Sequence, residues 1–279
     1  MARREPLRDF LARHAEVIHV RITRVRGSSP RDEGAEMFVA ADEMRGTIGG
    51  GQLEYMALDE ARALLRSGHE RGHMDVPLGP EIGQCCGGRV EIALQRMDSA
   101  AREAATRAAG AEEAARPHVY VLGAGHIGRE LAHCFARLPV RPVLVDSRAE
   151  ELRLCSAQVE MRHCALPEAE IDAAPPGSAF IVLSHDHALD FLLSAQALAR
   201  GDAAYVGMIG SATKRAKFER FCRGEIDGVA TQGLTCPIGA GQSGDKRPEV
   251  IAAFVAAEVM AALSRNEVTT PRGSSVSIR

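Results

Sequence analysis

The pair Cys85-Cys86, followed at once by Gly87-Gly88, is the most unusual local sequence of this 279-residue chain. Successive residues of an extended segment point to opposite sides, so the two thiols are not expected to grip one ion together. One exposed thiolate beside glycines, with Arg89 near enough to lower its pKa, suits a soft metal or sulfur transfer. The competing reading is one buried thiol and one incidental one. No Cys-x-x-Cys and no spaced Cys/His set points to zinc. The five other cysteines are scattered and read as packing residues.

A second kind of chemistry is anion binding. Gly123-Ala-Gly125-His126-Ile-Gly128 has the form Gly-x-Gly-x-x-Gly. Gly123 allows the tight turn, Gly125 lets the backbone approach a phosphate, and Gly128 lets a helix pack closely on a strand. Asp146 follows 23 residues after Gly123 and could accept from a ribose 2′-OH, which favours NAD. Arg148 could instead meet a 2′-phosphate, and Asp146 with Ser147 could merely cap a helix. Gly49-Gly50-Gly51-Gln52, ahead of a helix, is a second candidate nest, or a plain glycine turn. Gly210-Ser211 opens a third helix that carries Lys214. Ser184-His185-Asp186-His187 follows an apolar run; its His-x-His could bind a metal or donate to a polar ligand, or Ser184 and Asp186 could only cap a helix.

The elements that must position these groups fall into two patterns. Residues 1–97 read as a small α+β domain: a helix at Pro6–Arg13, strands at Val17–Val25, Met37–Val39 and Val90–Leu94, and an amphipathic helix over Gln52–Arg66. Residues 98–116, nearly all Ala, Arg and Glu, read as a linker, either helical or flexible. Residues 117–264 alternate strand and helix, with strands at Val119–Leu122, Val143–Val145, Phe180–Leu183 and Tyr205–Met208. Their fully apolar strands indicate a parallel sheet covered on both faces. The expected fold class is therefore α/β, a Rossmann-like parallel sheet domain at the C-terminal side with a smaller α+β N-terminal domain. The last helix is expected over Pro248–Leu263, and residues 265–279 as a disordered tail.

Composition excludes several classes. Apolar content of 46% and charged content of 25% are those of a globular protein. A net charge of −3 implies no general attraction to nucleic acid or an anionic membrane. No apolar run is long enough to span a bilayer, and the first residues lack the apolar core of a secretion signal. Seven cysteines without disulfide-like spacing suggest a reducing cytoplasm.

Taken together, the motifs resemble the xanthine dehydrogenase accessory protein family, the XdhC/CoxI-like proteins. The resemblance rests on Gly27-Ser-Ser-Pro-Arg31, Gly46-Thr-Ile-Gly-Gly-Gly51-Gln-Leu-Glu54, Gly83-Gln-Cys-Cys-Gly-Gly88, Gly123-Ala-Gly-His-Ile-Gly128, Ser184-His-Asp-His187, Gly207-Met-Ile-Gly-Ser211 and Leu234-Thr-Cys-Pro-Ile-Gly239. It implies a cytoplasmic, dimeric chaperone rather than an enzyme. Such a protein binds molybdenum cofactor (molybdopterin), supports its sulfuration with a cysteine desulfurase, and hands it to the molybdenum subunit of xanthine dehydrogenase. Cys85 or Cys86 would then lie near the molybdenum, and a glycine-rich helix start would take the phosphate. The alternatives are an NAD(P)-dependent oxidoreductase or nucleotide-regulated protein using the Rossmann-like domain, and a scaffold that docks partner proteins.

Overall fold

The computed structural model describes residues 6–80, 87–226, 229–239 and 244–269. Cys85, Cys86 and the end of the expected tail, residues 270–279, lie outside the described residues. The chain divides into two compact units, Met1–Ala114 and Ala115–Arg279.

In the first unit a five-stranded antiparallel sheet has the order β3-β2-β1-β5-β4, built from β1 (Ile18–Arg26), β2 (Glu36–Val39), β3 (Met44–Gly46), β4 (Arg71–Pro77) and β5 (Arg89–Arg96). Alternation along β1 buries Ile18, Val20 and Ile22. They pack against Leu53, Ala57, Ala61 and Leu64, the apolar stripe of α2 (Gly51–Ser67). Gly68 ends that helix in the left-handed conformation, its N–H donating to Leu64. The edge strands β3 and β4 were not expected. In β4 only Val76 is buried, so no alternation marks it.

Residues 98–116 are not a free connector. Ser99–Ala114 forms α3, and Ala101, Ala105 and Ala109 pack on Leu7, Phe10 and Leu11 of α1 (Leu7–Arg13). Small side chains let the two helices approach.

The second unit is the Rossmann-like domain anticipated from the strand pattern. Six strands, β6 (His118–Leu122), β7 (Arg141–Asp146), β8 (Glu160–His163), β9 (Ala179–Val182), β10 (Tyr205–Met208) and β11 (Leu234–Thr235), form a parallel sheet ordered β11-β10-β9-β6-β7-β8. Counted from β6, this is the 3-2-1-4-5-6 order of dinucleotide-binding folds, with its switch point between β6 and β9. Alternate residues of each strand feed two cores. Val119 and Val121 of β6 face α4 (His126–Phe135), α5 (Ala149–Arg153) and α9 (Pro248–Thr269). Tyr120 and Leu122 face α6 (Pro167–Asp172), α7 (His187–Ala199) and α8 (Ala212–Glu225). Helices on both faces are why these strands are apolar throughout. Helix α9 continues past Leu263 to Thr269, into the segment expected to be a disordered tail.

Candidate functional site

In the second unit the expected residues gather at the carboxyl ends of β6, β7, β9 and β10. The turn after β6 is dictated by its glycines. Gly123 has φ +130°, and a Cβ there would lie 2.3 Å from the Leu183 carbonyl oxygen. A Cβ on Gly128 would sit 1.9 Å from the Gly123 carbonyl. Only glycine permits the two approaches. Gly125 differs: a Cβ there would meet nothing within 4 Å, so the backbone faces open space. Gly125 is the N-cap of α4, which has no side-chain cap, and His126 next to it is exposed. The first turn of α4 therefore presents its dipole end and amide donors to that space.

Asp146 ends β7 and is buried. Its Oδ2 accepts from the Ala124 N–H at 2.7 Å and Arg148 Nη2 at 2.9 Å. Its Oδ1 accepts from the Arg148 N–H at 2.9 Å and Arg148 Nε at 3.0 Å. Burial pushes this carboxyl up, but the Arg148 guanidinium and the two backbone donors outweigh it and hold it below the usual aspartate range. The acid expected to read a ribose is thus already read by its own neighbour. Arg129, on α4, braces the same turn, donating to the Ala124 carbonyl at 2.7 Å and to Glu151 at 2.6 Å.

The loop after β9 serves chiefly to start α7. Asp186 is its N-cap and accepts from the Ala188 N–H at 2.7 Å. That hydrogen bond, with one from Leu189, lowers the Asp186 pKa. His185 and His187 are exposed, and among the described residues no His, Cys, Asp and Glu cluster could hold a metal ion. Ser211 caps α8 by accepting from the Lys214 N–H at 3.3 Å. Lys214 does not reach outward. Its Nζ donates to Asp190 at 2.5 Å, and Asp190 is only 1% exposed. The other Asp190 oxygen accepts from the Ser184 N–H at 2.8 Å, so one buried carboxylate ties the β9 and β10 loops together.

In the first unit the glycine nest is occupied from within. Glu54 Oε2 accepts from the Ile48 N–H at 3.1 Å, from the Gly50 N–H at 3.2 Å and from the Thr47 hydroxyl at 2.5 Å. A carboxylate stands where Gly49, Gly50 and Gly51 were expected to seat a phosphate, while Gln52 is exposed. The turn instead docks on another motif: a Cβ on Gly49 would lie 3.0 Å from Pro30 Cβ. Ser28 bridges to Gly87, and a Cβ on Gly88 would lie 2.0 Å from the Ser28 carbonyl. Gly27–Arg31, Gly46–Glu54 and Gly87–Gly88 therefore converge at one end of the sheet. Gly87, which donates to the Leu78 carbonyl at 2.9 Å, is held in place there directly after Cys86.

Sequence reasoning missed Glu54, Asp190 and Arg129 as site residues. An acid in the first turn of α2 or α7 was a visible sign. The partner of Asp190 is 24 residues away, on a different helix, and only packing of α7 against α8 brings it near.

Residues 119–259 match the XdhC Rossmann domain. Residues 10–76 match the XdhC and CoxI family. A crystal structure described as a xanthine dehydrogenase (BH1974) from Bacillus halodurans has the same fold, with a TM-score of 0.80 over 95% of this chain and 97% of that one, at 17% identity. Over 249 residues the chain is 27% identical to the uncharacterized protein YqeB of Escherichia coli (strain K12). That match covers 84% of this chain and 41% of the relative, so the chain spans less than half of the relative's length.

Proposed function

Because the chain belongs to the XdhC and CoxI family, we propose that it is an accessory protein of xanthine dehydrogenase that carries molybdenum cofactor. In this role it binds the cofactor as cargo, supports its sulfuration by a cysteine desulfurase, and delivers it to the molybdenum subunit of the apo-enzyme. It works as a homodimer in the cytoplasm. What supports this role most is the convergence of the three glycine motifs of the first unit where Gly87 leaves Cys86. The cargo joins a phosphate to a soft, sulfur-bound metal. A thiolate from Cys85 or Cys86 suits the metal. In the second unit, taken by itself, the uncapped start of α4 at Gly125 offers amide donors to an anion. A carrier has to hold its cargo without converting it, so it requires positioning and exclusion of water more than an acid–base pair.

The test is to load the purified protein with molybdenum cofactor and measure molybdenum per chain after desalting. Retention well above that of an unrelated protein is expected, with loss in Cys85→Ala or Cys86→Ala. Retention equal to the control overturns the role. Normal transfer to apo-enzyme by both variants would remove the cysteines from it. The sheet order favours a second reading, an NAD(P)-dependent oxidoreductase. A hydride-transfer screen with both nicotinamide cofactors tests it, and turnover in that screen would displace the carrier role.

A further inference from the structure

We infer that the second unit binds a small primary ammonium ion with an apolar body, in a cavity of about 280 Å³ between α6, α7 and the end of α8. The site is independent of the carrier role. Helix α7 starts at the carboxyl end of β9 and returns to the amino end of β10, so its last turns lie at the other end of the sheet from the Gly123–Gly128 turn. Leu192, Ala195, Ala199, Ile226 and Val229 give the cavity an apolar wall. Leu192 is 46% exposed, although an apolar side chain of its size gains by being covered.

The polar groups of this wall are acceptors. Glu168 lines the cavity with its Oε2 out of contact with solvent, and among the described residues neither of its oxygens accepts a hydrogen bond. Its place in the first turn of α6 suits a carboxylate, yet no N–H of that turn donates to it. Gln196 is the second polar group. Its Nε2 donates to the Glu168 carbonyl at 3.3 Å and to Asp172 Oδ1 at 2.6 Å, which fixes the amide and leaves Oε1 as an acceptor without a donor. Neighbouring cations are committed elsewhere. Arg162 pairs with Glu160 and Glu170, and Arg200 with Asp202 and the carbonyls of Ile171 and Ala174. A carboxylate oxygen withdrawn from water without a partner is costly, and a ligand that brings only donors relieves it. An ammonium group has three donors and no acceptor. A hydroxyl makes the weaker, neutral hydrogen bond, and an anion would meet like charge.

The full-length protein is titrated by calorimetry with 2-phenylethylamine, with 2-phenylethanol of nearly the same shape, and with phenylacetate. Saturable binding of the amine is expected, at least about tenfold tighter than that of the alcohol, which is the step from a neutral to a charge-assisted hydrogen bond. Phenylacetate should not bind. Glu168→Gln keeps the shape of the side chain and removes its charge, so the preference for amine over alcohol should be lost. Ala199→Phe sets a ring into the cavity from a solvent-exposed position and should abolish binding of both. Circular dichroism and melting establish that each variant is folded. No saturable binding of the amine overturns the proposal, as does equal affinity for amine and alcohol. An unchanged preference in Glu168→Gln overturns it too, and unchanged affinity in Ala199→Phe would show that the amine binds elsewhere. If Glu168→Gln does not fold, the selectivity of the wild type and the loss in Ala199→Phe decide.

Discussion

At the scale of single residues, two glycines of one motif do different work. A methyl at Gly128 would collide with the backbone of Gly123, which cannot yield without breaking the turn. Gly128→Ala should destabilise the second unit by about 3 kcal/mol or more, read from thermal or urea unfolding. Gly125→Ala meets open space and should cost about 1 kcal/mol or less. If the turn holds an anion, that second variant should fold normally yet bind pyrophosphate more weakly. Asp146 adds a pH signature. Its folded pKa is lowered, so the stability it contributes is present above the unfolded value of about 3.9 and is lost as pH falls through the folded value. Asp146→Asn should flatten the acid limb of a stability-against-pH curve. An unchanged acid limb would show that other carboxylates govern it.

At the scale of elements, helix starts decide which glycine-rich turns are open. Helices α7 and α8 are closed by their own caps, Asp186 and Ser211. The turn before α2 is filled by Glu54, whose three contacts make Glu54→Ala worth about 1–3 kcal/mol of destabilisation in the first unit. Helix α4 is left without a side-chain cap. Glycine-rich sequence alone did not separate these cases, since each turn reads alike until the residue that fills it is placed. The pair of Asp190 and Lys214 acts between elements, holding α7 and α8 to the same edge. Removing one member leaves a buried charge, so Asp190→Ala should cost about 3–5 kcal/mol. Denaturant titration of Asp190→Ala beside Asp186→Ala, an exposed cap worth about 1 kcal/mol, checks the ranking.

At the scale of the whole chain, the two units have separate hydrophobic cores. The second, with its sheet covered on both faces, should fold when residues 115–279 are produced alone. A single cooperative melting transition with mixed helix and strand circular dichroism is the expected result; a broad, non-cooperative one would show that it needs the first unit. The surfaces beside the edges are where unexpected elements lie. Strands β4 and β8 are mostly exposed, so neither carries the apolar alternation of β1 or the apolar run of β6. Among the described residues no helix is long and apolar enough to cross a membrane, as the composition implied.

By itself the sequence determined the class of fold and the family. Apolar runs such as Val119–Leu122, punctuated by Gly123, Gly125 and Gly128, can be little other than strand, turn and helix, because period and backbone freedom are local properties. It also marked the motifs. What only the tertiary structure decided is which of their groups remain available. Lys214 turns inward to Asp190, Asp146 is held by Arg148, and Glu54 fills the nest before α2. Charges and amides compete for one another across distances that spacing along the chain does not encode. Their partners are set by packing, and packing leaves the start of α4 without a side-chain cap and with open space beside Gly125.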